Sequence, residues 1–243
     1  MEDPPIPVIE HPTQNINVKK KIQPSPAVKS YSTKYVVVIP SVKRKTDEYL
    51  KKMLQSLQIA KPKNILVLLI NANQPPRQHT FLENWCRKHT DYICNYPPPV
   101  SSNIFKEVIR KDKRGDSHDF LKWRTQEARH ALFGMQQFLK TNATYMLWLQ
   151  DDVTVDADIF QSLPDDEVVC LRSDGYCGMV AFLFKSTAVK ALLPVIERRY
   201  MDTPIDWIVE QLFTIKRLPK AYHHGTISSN GKIRRVTRNE RKR

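Results

Sequence analysis

Thr144-Tyr-Met-Leu-Trp-Leu-Gln-Asp-Asp-Val-Thr-Val155 is the stretch from which the fold is read. Tyr145 to Leu149 form an apolar run of strand length that stops abruptly at two acids, Asp151 and Asp152. A continuous apolar run bounded in this way reads as a strand buried on both faces. In an open α/β sheet, ligands bind in the crevice beyond the carboxyl ends of the strands, so acids at this boundary stand where a metal or a polar substrate arrives. Adjacent carboxylates repel unless a cation or solvent separates them, which makes a hard divalent ion with oxygen ligands their natural partner. Taken alone, such a pair is more often a solvated turn or a helix cap.

Working outward, Tyr35-Val-Val-Val-Ile39 reads as a first buried strand ended by Pro40, followed by a basic loop holding Ser41, Lys43 and Arg44. Leu50, Met53, Leu54 and Leu57 then recur at helical spacing, so strand, loop and helix open a βαβ unit. The loop can offer Ser41, Lys43 and Arg44 to a phosphate near a helix N-terminus, and a solvated basic turn fits it as well; it has no glycines and is no Walker loop. Ile65 to Ile70 is a second strand, Thr80 to His89 a helix and Asp91 to Asn95 a short strand. Residues 100 to 119 are polar and basic without clear periodicity, which predicts a long mobile loop over a site. Leu121 to Lys140 carries one apolar helical face into the central strand.

Beyond it, Val168 to Leu171 and Met179 to Phe184 read as strands, and Ser186 to Tyr200 as a helix capped by Ser186. A further helix starts within Asp202-Thr-Pro-Ile-Asp206-Trp207, where Asp206 fits an acid at the positive end of the helix dipole. Tyr222-His-His-Gly225 is followed by a loop over Ser228 to Gly231, and neighbouring histidines on a strand would face opposite sides. Strands alternating with helices argue for a mainly parallel sheet covered on both faces.

At 243 residues the chain has room for one sizeable α/β domain. We divide it into a proline- and lysine-bearing arm over 1–33, a single domain over 34–233 and a basic tail over 234–243. The formal net charge of +14 favours anionic partners such as a nucleotide phosphate, a nucleic acid or a membrane surface. No recognisable nucleic-acid-binding module accompanies that charge, so no specific nucleic-acid partner is expected. Cys86, Cys94, Cys170 and Cys177 lack the spacing of a structural zinc site, and their even number permits disulfides. Asn142-Ala-Thr144 is an N-glycosylation acceptor triplet, which matters only in the secretory pathway. No segment reaches the roughly 18 consecutive apolar residues of a membrane helix, and the N-terminus lacks the layout of a signal peptide, so the chain reads as soluble.

Together, Ile39-Pro-Ser-Val-Lys-Arg44, Trp123-Arg-Thr125, Leu149-Gln-Asp-Asp-Val153, Pro204-Ile-Asp-Trp207 and His223-His-Gly-Thr-Ile-Ser-Ser229 resemble, in order, segments of the N-acetylglucosaminyltransferase IV family. The resemblance spans residues 35 to 233 and is most specific at Pro204 to Trp207 and His223 to Ser229. It implies a GT-A type nucleotide-sugar transferase fold, UDP-N-acetylglucosamine as donor, a manganese ion, a glycan or glycoprotein acceptor on the N-glycan mannose arm, and residence in the Golgi. Carried over by position, it makes Asp152 and His223 metal ligands, Asp206 the catalytic base, and Asp151, Lys43, Arg44 and Arg124 contacts of the sugar nucleotide. The implied reaction is inverting: base and metal act on opposite faces of the sugar. The chain departs from the family pattern at Gln150, where a Glu is usual, and over Gln126 to His130, where a Lys and an Asp are replaced. Those departures raise a second possibility, a catalytically silent relative that binds a sugar nucleotide or glycan as a regulator.

Overall fold

A computed structural model describes residues 34–73, 79–112, 114–171, 178–216, 221–222 and 227–229. All of them fall within one compact unit, Tyr31–Arg243. The strands are β1 (Tyr35–Ser41), β2 (Leu66–Asn71), β3 (Tyr92–Asn95), β4 (Tyr145–Leu149), β5 (Val153–Val155), β6 (Val168–Cys170), β7 (Ala181–Lys185), β8 (Ala221–Tyr222) and β9 (Ile227–Ser229). The helices are α1 (Glu48–Ala60), α2 (Thr80–Lys88), α3 (Ser102–Lys111), α4 (His118–Leu139), α5 (Ile159–Ser162), α6 (Ser186–Arg199) and α7 (Ile205–Lys216).

Seven strands form one sheet in the order β3-β2-β1-β4-β7-β6-β8, and β5 pairs with β9 in a separate ribbon. The β3-β2-β1-β4 half is parallel throughout, as expected for βαβ units. In the other half β6 and β8 also pair parallel, and β7 alone is reversed, running antiparallel to both β4 and β6. The fold is therefore a mixed α/β sheet flanked by helices.

The pleat sorts the core into two faces. Val36 and Val38 of β1, Leu66, Leu68 and Ile70 of β2, and Met146 and Trp148 of β4 pack on one side against α4, α6 and α7. Val37, Ile39, Val67, Leu69, Tyr145, Leu147 and Leu149 face the other side, where α1 and Leu82 of α2 cover them. Successive strand residues point to opposite faces, so strands apolar at every position require helices on both. The buried indole of Trp148 donates to Met179 O at 2.8 Å, so burial of its polar atom is compensated.

Four local expectations change. Strand β1 continues through Pro40 to Ser41. Ser41 O accepts from Ala72 N, and alternation turns the nitrogen of Pro40 towards the β4 flank, beyond the last paired residue Val38, so the missing donor costs no ladder bond. Residues 102–111 of the expected loop are helical: Ser101 Oγ accepts from Ile104 N, Val108 is buried, and Ile104 packs on the α4 side of the core. Helix α6 begins with Ser186 as its first residue, without a side-chain cap; Ser186 N donates instead to Thr144 O. Residues 228 and 229, expected in a loop, belong to β9.

A disulfide joins Cys86 of α2 to Cys94 of β3, with Cα atoms 6.0 Å apart, and Cys170 is also disulfide-bonded. Among the described residues no helix is long and apolar enough to cross a membrane.

Candidate active site

The carboxyl ends of β1, β2 and β4 meet at one corner. Strand β4 empties into the turn that holds Asp151 and Asp152 before β5. Asp151 is buried, at 5% exposure, and both its oxygens are engaged. Ser41 Oγ, at the end of β1, donates to Oδ2 at 2.8 Å, and Arg44 Nη2 donates to Oδ1 at 2.5 Å. The same guanidinium lies 3.5 Å from Asp152 Oδ2, so one cation spans both acids. Burial pushes the Asp151 carboxyl upward from its ordinary value; the Arg44 charge and the Ser41 hydrogen bond oppose that, and the charge of Asp152 adds to it.

Behind this pair, His79 is buried with Nε2 3.5 Å from Ser41 Oγ, and burial lowers its pKa. Lys43 is held through its backbone: its N donates to Asn73 Oδ1 at 2.8 Å, while Nζ pairs with Asp47 at 2.5 Å. Asn73 Nδ2 donates in turn to Asn71 Oδ1, at the end of β2. The β1 loop is thus tied to β2 as well as to β4.

A second group stands at the start of α7. Asp206, in the first turn, accepts from Trp207 N at 2.9 Å. Glu127 of α4 has its carboxyl pushed up to about 7, first by burial and then by the charge of Asp206, so the two acids lie within electrostatic reach. Ile205, Ile208 and Val209 of α7 share a core cluster with Ala128, Ala131 and Leu132 of α4, which fixes that proximity. The level of this pair follows from α4. Gly134 lies against Trp148, the penultimate residue of β4, and α4 leads into the start of β4. Glu127, about 10 Å earlier along the helix at 1.5 Å per residue, therefore stands beyond the carboxyl end of β4, the end that carries Asp151.

Arg124 is 1% exposed, with Nη1 3.3 Å from Asp116 and Nη2 3.6 Å from Asp112. It holds the segment between α3 and α4, and burial lowers its pKa against the raising charge of Asp116. Arg114 of that segment stacks on Trp207 at 4.5 Å and donates to Asp202 O at 3.1 Å, linking it to the start of α7. His223 lies outside the described residues. Of the residues singled out from sequence, Arg44, Asp151 and Asp152 are brought into contact; Lys43 stands beside them paired with Asp47, Asp206 is grouped with Glu127, and Arg124 faces its own two acids.

Sequence reasoning missed His79, Asn71 and Glu127. The signal for Glu127 was present: an acid flanking Ala128, Ala131 and Leu132 on the apolar face of a helix. Ser41, read as available to a phosphate or as part of a solvated basic turn, donates its hydroxyl to Asp151.

Among the described residues no cluster of three or more His, Cys, Asp or Glu side chains converges to hold a metal. The chemistry of the turn still suits a hard divalent ion: the Asp152 side chain is 26% exposed, and a phosphate-bearing ligand commonly completes the coordination of an ion held by one or two carboxylates.

Comparison with known proteins finds distant relatives. The chain is 23% identical over 232 residues to alpha-1,3-mannosyl-glycoprotein 4-beta-N-acetylglucosaminyltransferase B of Mus musculus, covering 87% of this chain and 42% of that protein. It is 23% identical to the B enzyme of Danio rerio over 205 residues, 74% of this chain and 36% of the relative. The A enzyme of Mus musculus is 22% identical over 225 residues, 86% of this chain and 41% of the relative. The chain thus spans about two fifths of the length of the curated relatives it matches. No family model matches it.

Proposed function

We propose, from the premise that this chain is a distant relative of the alpha-1,3-mannosyl-glycoprotein 4-beta-N-acetylglucosaminyltransferases, that it transfers N-acetylglucosamine from UDP-N-acetylglucosamine to a glycan acceptor with inversion, on a GT-A type fold. The observation that carries this reading is the Asp151–Asp152 turn at the carboxyl end of β4, tied to the basic β1 loop through Ser41 and Arg44. Asp151, buried and held by both, orients the loop whose Lys43 and Arg44 receive the anionic nucleotide. Asp152, with its partly exposed carboxylate, and His223 would hold a divalent ion. Bound there, such an ion, manganese by resemblance, would supply positive charge to a departing diphosphate, roughly several kcal/mol of stabilisation.

Asp206 takes the proton of the acceptor hydroxyl as its oxygen bonds to the anomeric carbon, while the bond from that carbon to the UDP oxygen breaks. General-base assistance of this kind is worth roughly 10²–10⁴-fold. Glu127, its carboxyl pushed up to about 7, keeps part of a second negative charge away from the base in the neutral range. The disulfide between Cys86 and Cys94 suits the oxidising secretory pathway in which such transferases work.

Manganese-dependent turnover of UDP-N-acetylglucosamine, assayed over a panel of UDP-sugars, tests donor and metal together. Asp152→Asn and Asp206→Asn should each lower turnover by at least about 100-fold. Full turnover in Asp206→Ala would remove the base assignment.

One observation favours a second reading, a silent relative that binds a sugar nucleotide or glycan. Arg44 already provides the positive charge between Asp151 and Asp152, and Gln150 supplies no charge of its own. That protein would be stabilised by UDP without manganese and would consume no donor sugar.

A further inference from the structure

We infer that Asn142 is an N-glycosylation site of this protein. Asn142-Ala-Thr144 is the single Asn-x-Ser/Thr triplet in the sequence. It occupies the turn between α4 and β4, with Asn142 and Thr144 exposed and Ala143 buried between them. Asn142 has φ +59°, the left-handed conformation that asparagine adopts more readily than other side-chain-bearing residues, in the turn that follows the Lys140 C-cap of α4. The fold thus leaves the acceptor amide at the surface of a tight turn, where an attached sugar displaces no packed side chain.

The independent support is redox chemistry. Cys86 and Cys94 are bridged and Cys170 is disulfide-bonded, a state that persists in the compartments where oligosaccharide transfer to asparagine takes place. In that transfer, the amide nitrogen of Asn142 bonds to the anomeric carbon of a lipid-linked oligosaccharide diphosphate. The carbon–oxygen bond to the diphosphate breaks, the lipid diphosphate departs with its electron pair, and the amide proton passes to the transferase. Thr144 supplies the hydroxyl by which the triplet is recognised. Because the reaction precedes folding, the later burial of Ala143 is no obstacle.

Position decides that the modification is compatible with the crevice. The triplet leads into the first residue of β4, while Asp151 follows its last, so about 15 Å of strand at 3.3 Å per residue separates the glycan from the acid corner. Ser186 N donates to Thr144 O, which places the triplet at the end of the sheet where α6 begins.

The test is secretion of the full chain behind a cleavable signal from a eukaryotic host, followed by peptide-N-glycosidase treatment. One glycan's shift in mobility is expected, with conversion of Asn142 to aspartate in the peptide mass. Thr144→Ala should abolish the shift and Thr144→Ser should keep it; neither touches the left-handed residue, unlike Asn142→Gln. A secreted protein with intact disulfides and unmodified Asn142 would overturn the inference, whatever the catalytic activity of the chain.

Discussion

Glu127 carries a carboxyl pushed up to about 7 from an ordinary 4.5, first by burial and then by Asp206. A carboxyl raised in the folded state holds its proton there while the unfolded chain has released it, so stability falls as pH rises from 4.5 to about 7. The loss is on the order of 3 kcal/mol at most. His130, three residues on, behaves oppositely: burial and then Arg129 push its pKa down from 6.5 to about 4, so its contribution falls as pH drops through that window. The two slopes offset one another in the parent protein. Glu127→Gln removes the Glu127 slope and leaves the others in place, so the difference in unfolding free energy between variant and parent should grow from pH 4.5 to 7 and stay level above. Urea titrations at several pH values measure it, and a pH-independent difference would dismiss the shifted carboxyl. The Asp151 corner was legible in sequence because an apolar strand ending in acids is a local pattern. The Glu127–Asp206 pair was not, because it forms between two helices 79 positions apart whose docking no single segment specifies.

At the scale of elements, α4 packs on the sheet at Gly134, where an added Cβ would lie 2.9 Å from Val38 Cγ1 and 3.3 Å from Trp148 Cζ3. Alanine would gain about 1 kcal/mol in helix propensity, whereas overpacking a strand-bound Val and Trp costs about 1–3 kcal/mol. Gly134→Ala is therefore expected to be destabilising and Gly134→Leu far more so, by equilibrium denaturation; a more stable Gly134→Ala protein would refute the tight contact. The Cys86–Cys94 bridge closes a short loop, and its loss in the double serine variant should cost about 2–3 kcal/mol. Most elements follow from periodicity, as in α1, where Leu50, Met53, Leu54 and Leu57 are all buried. Helix α3 escaped because charged residues mask a short apolar stripe of Ile104 and Val108. The reversal of β7 escaped because an apolar run such as Ala181 to Phe184 reads the same in either direction.

For the whole molecule, charge and ligand affinity are separable. Residues 34–233 keep a positive net charge, so salt-dependent attraction to nucleic acid should weaken when the basic tail 234–243 and the arm 1–33 are removed, while UDP binding should be unchanged, since the acid corner and its β1 loop lie between them. Saturating UDP with manganese should stabilise the parent by about 2.7 kcal/mol at 100 times its dissociation constant, and Asp152→Asn should lose that gain. Thermal unfolding with and without the nucleotide reads both, and an unshifted parent would count against a nucleotide site.

The antiparallel placement of β7 has a consequence for how the chain is routed. A strand descending beside β4 finishes at the floor of the sheet, at Lys185 opposite Tyr145, and α6 must climb again. Its upper end, where Tyr200 meets Arg129, delivers the polypeptide to the rim just before Asp206. Had β7 pointed upward like its neighbours, the following helix would have carried Asp206 to the floor, and a single inverted strand thus determines which end of the molecule owns that acid.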